Sequence, residues 1–510
     1  MSFCLPLGMP FCVRVRRRAL RVPAEPARSS DPDLVTGIPV RSLGWIDDFF
    51  RKAKDHIFAR EEDGVVILPP NQVYKANSTG IAIVAHMCAG GKAASIPGIA
   101  QEERARQVTA FVSDLRALYL GQPAEGGRAP YELVPYTFQY TKLPILGEIA
   151  VTYRCNNACV FCYAGCGTQN PGRGAPGAGL AALSCAGTVR QALSGGRTSE
   201  MSLAEVAKVI RVFKDDAKIP FFSFTGGEPL LRADLEEMIR MARRAGLQVN
   251  LITNGTLADR RRARSLYTAG LRTAQVSVES LDAETHDLLT ARPGSFQETL
   301  QGIRCLQAAG ISVQTNTTMT AVNSPDAARM PAFLKSLGVS RFSMNLYLPM
   351  GAADAEGEGR GDPHVDALFI PYARAGAIIE SVRMAARAER LTFYWYSPIP
   401  HCHYNTIARG LGNKSCAAMD GLLSVAPTGD VLPCSSFPEP MGNLLSQDFR
   451  DVWFSPRAGY FKNKQYAPAE CAGCPSFTAC QAACPLYWRY AGTSEIRNHA
   501  SIAQENIVWK

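Results

Sequence analysis

Ten of the sixteen cysteines stand in spacings that ligate metal. Three lie in Cys155-Asn-Asn-Ala-Cys159-Val-Phe161-Cys162-Tyr163, a C-x3-C-x2-C arrangement. Three thiolates on one short loop can hold three irons of a [4Fe–4S] cluster and leave the fourth open to a small ligand. The competing chemistry is a structural zinc site closed by a fourth ligand such as Cys166. The other seven, Cys402, Cys416, Cys434, Cys471, Cys474, Cys480 and Cys484, gather near the C-terminus. Paired C-x2-C cysteines often bind zinc, but the x5 and x3 spacings among seven cysteines favour clusters.

Elements must carry these ligands to one place. The apolar run Ile149-Ala-Val-Thr-Tyr153 before the first cysteine reads as a buried strand ending in a loop. From there strands alternate with helices. The strands are expected at Glu148–Tyr153, Phe221–Thr225, Gln248–Thr253, Thr273–Val278, Ser312–Thr318 and Arg341–Tyr347. Helical patterns cover Leu203–Phe213, Asp234–Ala245 and Phe296–Ala309. Such alternation predicts a parallel sheet with right-handed crossovers. Functional groups then belong at the strands' C-terminal ends. Thr225-Gly226-Gly227-Glu228-Pro229, Thr253-Asn254-Gly255 and Ser277-Val-Glu279-Ser280 stand there.

The cysteine loop with its aromatic residue before the third cysteine resembles the signature of the radical S-adenosylmethionine (radical SAM) family. That resemblance implies an α/β fold, a partial (β/α)6 TIM-type barrel over residues 148–370. It implies a [4Fe–4S] cluster on Cys155, Cys159 and Cys162, with S-adenosylmethionine on the open iron. Gly226, Gly227, Glu228 and Pro229 match the family's "GGEP" motif at the methionyl amino group. Asn254, Ser277, Glu279 (where the family commonly has Asp) and Asn316 fall at further cofactor-binding positions, and Phe161 and Tyr163 at the adenine. The implied activity is reductive cleavage to a 5′-deoxyadenosyl radical.

The C-terminal array, with Pro427-Thr-Gly429-Asp430 and Gly442-Asn443-Leu444, resembles the SPASM extension, placed at 371–510. The resemblance implies one or two auxiliary [4Fe–4S] clusters. It groups Cys402, Cys416, Cys434 and Cys484 on one, and Cys471, Cys474 and Cys480 on the other. No cysteine follows Cys484 where the family has its last ligand, so the second cluster is expected to be open, closed by Glu495, His499 or Glu505, or absent. Cys166 and Cys185, in the Gly/Ala/Ser-rich insertion 164–199, could also make up the count.

Residues 45–120 form another unit. An amphipathic helix begins at Trp45, and Gly64–Leu68 and Gln72–Ala76 read as strands. Asn77-Ser-Thr-Gly80 caps a helix to Cys88, and Glu102 to Leu120 carries a helical stripe. This order resembles the winged-helix PqqD-like fold, the RiPP recognition element. By that resemblance a precursor's leader peptide adds a strand to a sheet edge. The implied enzyme is a radical SAM peptide maturase of oxidoreductase type, reduced by a flavodoxin or ferredoxin. Alternatives are a radical SAM enzyme of tetrapyrrole or other cofactor biosynthesis, and a zinc-binding interaction protein.

Composition sets the remaining bounds. Of the net charge of +9, +5 lies in residues 1–30, where six arginines face Glu25. The rest is only mildly basic, so charge indicates no nucleic-acid partner. The Arg/Pro-rich tail, 1–44, is expected to be disordered, and 121–147 a linker. No apolar run suits a membrane span, which with so many free thiols leads us to expect a cytoplasmic protein.

Overall fold

A computed structural model of the chain describes residues 11–15, 43–68, 72–120, 122, 131–135, 141–164, 199–349, 363–437 and 439–496. Residues 1–142 and 143–510 form two compact units.

In the first unit, β1 is Phe11–Val15, β2 Phe58–Arg60, β3 Val65–Leu68, β4 Gln72–Lys75 and β5 Tyr131–Pro135. They form one sheet in the order β2-β3-β4-β1-β5. The antiparallel β3–β4 hairpin pairs Val66 with Tyr74. Helix Gly44–Ala53 buries Ile46, Phe50 and Ala53 on one stripe. Helix Ser78–Cys88 begins where the Asn77 side chain accepts the Gly80 N–H at 2.8 Å. Helix Glu102–Leu120 closes the core with Val108, Val112, Leu115 and Leu118. Two expectations are corrected here. The tail read as disordered contributes β1, and the linker contributes β5, the two pairing antiparallel along their whole length. Backbone groups at a sheet edge find partners whatever the side-chain composition.

The second unit is a ten-stranded sheet. Its strands are β6 Leu146–Thr152, β7 Phe221–Gly226, β8 Gln248–Thr253, β9 Thr273–Ser277, β10 Ser312–Met319, β11 Arg341–Leu346, β12 Thr392–Trp395, β13 Leu422–Val425, β14 Asp430–Leu432 and β15 Gly442–Asn443. The order is β12-β11-β10-β9-β8-β7-β6-β13-β14-β15. All six expected strands form in sequence, parallel to one another. Two parallel strands were not foreseen. β12 extends the sheet beyond β11, and β13 pairs with β6 at the other side. The extension therefore begins inside the same sheet rather than after it.

Period-two alternation divides each barrel strand. Ile149 and Val151, Phe222 and Phe224, Leu251, and Ala274 and Val276 are buried in the hydrophobic core. Glu148, Thr225, Gln275, Ser277, Asn316 and Asn345 line a cavity instead. Fully buried parallel strands read as continuous apolar runs. These keep a polar face because it encloses a ligand space. Among the described residues no helix is long and apolar enough to cross a membrane. Cys166, Cys185, His499 and Glu505 lie outside the described residues.

The first unit carries a buried ion pair: Arg60 Nε donates to Asp63 Oδ1 at 2.9 Å and Nη2 to Oδ2 at 2.7 Å, with both side chains almost wholly covered. Asp63 Oδ2 also accepts the Lys142 N–H at 3.0 Å. Removing one partner strands the other charge in a dry site. Asp63→Ala should cost this unit about 3–5 kcal/mol. Hydrogen exchange of the full chain should then show lost protection across 43–120, with 143–349 unchanged.

Candidate functional site: a cysteine loop over a polar cavity

The cysteine loop leaves β6 and is pinned from several sides. Ala158 and Val160 donate backbone N–H groups to the carbonyls of Thr290 and Leu289. Asn156 Nδ2 donates to Thr256 Oγ1 at 2.8 Å, and Asn254 Nδ2 to Asn156 Oδ1 at 2.9 Å. Arg292 reaches both Asn157 Oδ1 and Thr256 Oγ1. Of these bracing residues the sequence singled out Asn254 alone, and as a cofactor contact rather than a brace. The Asn-Gly-Thr turn after the third strand was their available signal.

Burial pushes the Cys155 thiol up to about 12 and Cys159 well above the ordinary thiol range. Iron ligation would have to displace those protons, as metal binding generally does. The Asn157 N–H already points at Cys155 Sγ at 3.4 Å, a contact that favours thiolate.

Gly226 and Gly227 sit where β7 ends against β6. A Cβ on Gly226 would stand 2.1 Å from the Thr152 carbonyl oxygen, and one on Gly227 2.3 Å from that of Arg154. Gly226 also holds φ +141°. Both glycines face the cavity. Glu228 does not. Its Oε1 accepts from Leu230 N–H and the Thr253 hydroxyl at 2.9 and 2.7 Å, and Oε2 accepts from Asn254 N–H at 2.8 Å. It is fully buried, and burial pushes its carboxyl up to about 7. The expected cofactor contact at Glu228 is therefore corrected: its carboxylate is spent bracing the end of β8. Pro229 is buried beside it, also off the cavity wall.

The cavity holds about 480 Å³ and brings together Cys155, Cys159, Phe161, Cys162, Tyr163, Gly226, Gly227, Asn254, Ser277, Glu279 and Asn316. Asn316 is oriented by Ser343 and Asn345, with Gln275 behind Ser343. Glu279 Oε2 accepts the Thr318 N–H at 2.8 Å, and burial pushes it up to about 8. His286, missed by sequence, also lines this wall. Its Nδ1 accepts the Glu279 N–H at 3.3 Å, so the ring proton sits on Nε2. Burial lowers its pKa to about 4, keeping it neutral, and Nε2 is buried without a partner among the described residues. A bound ligand with an acceptor oxygen would satisfy it.

The C-terminal thiols form two groups. Cys434 lies within electrostatic reach of Cys416 and Cys484. Cys471 and Cys480 lie within reach of Cys402 and of each other, and Cys471 also of Cys474. This corrects the expected grouping: Cys402 joins Cys471, Cys474 and Cys480. The segment is held there by the His401 N–H, 3.4 Å from Cys480 Sγ. The second group thus has four cysteines, and the first has three. Glu495 is not a free ligand either, because it accepts the Ala373 N–H at 2.9 Å and the Tyr487 hydroxyl. Among the described residues no three His, Cys, Asp or Glu side chains converge tightly enough for one metal ion, as a zinc site requires. Gln481, with no exposed surface, lies between Cys480 and Cys484 and has neither amide atom satisfied. His401 Nε2 and Asn413 Oδ1 likewise have no partner among the described residues. Of these, the Gln481 amide N–H and His401, in its Nε2–H tautomer, can donate to the sulfides of a cluster beside these thiols, whereas the Asn413 oxygen, an acceptor, cannot. Gln481, Ala482 and Ala483 all hold left-handed backbone, φ +53°, +58° and +56°. This turn sends Cys480 and Cys484 into different groups.

An open parallel barrel with a three-cysteine loop at the strand ends and a second cysteine array beyond it defines an iron–sulfur enzyme. A family model described as the radical SAM superfamily matches residues 149–345. An iron–sulfur cluster-binding domain, SPASM, matches residues 416–475. The chain belongs to the radical SAM superfamily. It is 30% identical over 246 residues to the AdoMet-dependent heme synthase of Methanosarcina barkeri, covering 46% of this chain and 68% of that one. It is 28% identical over 278 residues to the PqqA peptide cyclase of Methylocella silvestris, covering 53% and 71%. In fold it is similar to SuiB of Streptococcus suis solved with the precursor peptide SuiA: TM-score 0.58, 16% identity, 86% of this chain and 99% of that one. The cofactors of this family are a [4Fe–4S] cluster with S-adenosylmethionine and, in the SPASM domain, auxiliary clusters.

Two outcomes follow from this geometry. Cys402→Ser should remove the same EPR signal as Cys474→Ser, with loss of about four irons, and leave the signal that depends on Cys416, Cys434 and Cys484. Gly227→Ala, which drives a methyl into a backbone carbonyl, should weaken S-adenosylmethionine binding at least about tenfold by equilibrium dialysis, with the auxiliary iron retained.

Proposed function

We propose that this radical SAM enzyme is a peptide maturase acting on a ribosomally made precursor. The observation that carries the reading is the charge of the cavity. Its described walls hold Glu148 and Glu279 and neither lysine nor arginine. A tetrapyrrole precursor bears several carboxylates, and a wall without cations gives them no partner. A peptide side chain makes no such demand. The first unit supports the same reading. Its sheet ends in two edge strands, β2 and β5, while the edge of β4 is already taken by β1. An extended leader would add to one of those ends through its backbone. The named relatives include a peptide cyclase and a precursor-bound neighbour alongside heme synthases.

When bound, the cluster and S-adenosylmethionine supply a one-electron cleavage whose 5′-deoxyadenosyl radical takes a hydrogen atom from the substrate. In our reading Cys155, Cys159 and Cys162 hold three irons and leave one for the cofactor. The backbone of Gly226 and Gly227 receives the methionyl end, and Asn254, Ser277, Glu279, His286 and Asn316 orient its polar groups. Phe161 and Tyr163 flank the adenine. Cys402, Cys471, Cys474 and Cys480 would close one auxiliary cluster. Cys416, Cys434 and Cys484, which line the cavity, would leave an iron of the other without a cysteine ligand. A flavodoxin or ferredoxin would deliver the electron.

The test is anaerobic. With dithionite, the reconstituted chain should form 5′-deoxyadenosine, and the Cys155/Cys159/Cys162→Ala triple variant should form none while keeping its auxiliary iron. Absorbance near 400 nm, roughly where iron–sulfur clusters absorb, separates them from zinc. A precursor peptide encoded beside the gene should be modified. Turnover of a tetrapyrrole instead of any such peptide would establish the cofactor-biosynthesis reading.

A further inference from the structure

The two carboxylates of the cavity have different stations. Glu279 lies by the cysteine loop, within electrostatic reach of Cys159. Glu148 lies deep in the lumen. It is the third residue of β6, four before Thr152 at the strand's end, which at about 3.3 Å per residue puts it roughly 13 Å below that end. Register sets it level with Ser424 on β13, Ser223 on β7 and Asn250 on β8. Ser424 Oγ donates to Glu148 Oε1 at 2.6 Å, and Ser435 contributes its hydroxyl and backbone N–H. These donors hold the carboxylate in one orientation but bring no charge.

The surroundings make that charge costly. Cys434 is close enough for its thiol to feel Glu148, and Cys416 and Cys484 share that wall. Ligating thiolates would make this end of the cavity more negative still. One basic side chain beside Cys416 is Lys464, and its Nζ is engaged by the Cys416 carbonyl and Asp420. No lysine or arginine lines the described cavity. A half-buried carboxylate with its hydrogen bonds arranged and no counter-charge among the described residues of the cavity wall is the half of an ion pair that a ligand completes.

We propose that Glu148 is a substrate-specificity residue that receives the ammonium or guanidinium of a basic side chain of the peptide. The ion pair forms only when the substrate enters, so it selects for a basic residue at the modified position and holds that residue beside the Cys416, Cys434 and Cys484 wall. The inference rests on the peptide-maturase reading and adds to it the class of residue taken.

The experiment uses the reconstituted full chain with S-adenosylmethionine and two capped amino acids of matched length, N-acetyl-lysine N-methylamide and N-acetyl-norleucine N-methylamide. Equilibrium dialysis should show the lysine probe bound at least about tenfold more tightly. In Glu148→Gln the preference should vanish, with iron content and visible spectrum unchanged. Ser424→Ala keeps the charge but frees the carboxylate, and should reduce the preference without abolishing it. This second variant, which keeps the Glu148 carboxylate itself, guards against misfolding of the first. Equal binding of the two probes, no binding of either, or a lysine preference that survives Glu148→Gln would overturn the assignment. Precursor processing without a lysine preference would overturn this inference alone. A lysine preference in a chain that modifies no peptide would overturn the maturase reading alone.

Discussion

The carbonyl oxygens of Thr152 and Arg154 leave no room for a side chain at the end of the neighbouring strand, and the rest of the site depends on that crowding. Because Gly226 and Gly227 can press against them, the first two barrel strands end together. The cysteine loop and the Gly-Gly backbone therefore share one wall of the cavity. Glu228 completes the joint from the other side by gathering Leu230, Thr253 and Asn254 onto one buried carboxylate. A single crossing of backbones thus sets three strand ends at once. The Asn156–Thr256–Arg292 network continues the same bracing toward the helix that follows β9.

Much of this was legible in the chain. The six barrel strands follow from apolar runs bounded by turn residues, and their ends fall within a residue or two of expectation because Gly and Asn mark the turns. β12 and β13 were missed because each is only four residues long; β13 has no helix pattern to frame it, whereas the helix Tyr372–Ala388 that precedes β12 was an available signal. β1 was missed because arginines and prolines around it signal solvent, while strand pairing is made by the backbone. The motif resemblance located Glu228 correctly but could not say which way its carboxylate faces. Cys402 was misassigned for a related reason. Distance along the chain to Cys416 says nothing about the loop that brings residue 402 against Cys480.

The cavity unites two kinds of polar group that a closed core would reject. Asn316, Gln275, Ser343 and Asn345 satisfy one another in a chain across β9, β10 and β11, so they hold their orientation without a ligand. Glu279, His286 and Glu148 retain capacity that the described protein does not use up. The first set fixes the shape of the space, and the second set defines what it asks of its occupants. Burial of the groups themselves supplies the difference in strength: Glu279 and His286 are almost wholly covered, so contacts to them act at a lower effective dielectric than in water.

The left-handed stretch Gln481-Ala482-Ala483 joins the two C-terminal cysteine groups. Each residue held in that conformation costs about 1–2 kcal/mol relative to a relaxed backbone. The turn is held between Cys480 in one group and Cys484 in the other, so the two centres share a single conformational cost. Once one centre has closed and set this backbone, the other closes without meeting that cost again. The two sites are therefore expected to assemble cooperatively, each filling more readily when its neighbour is filled.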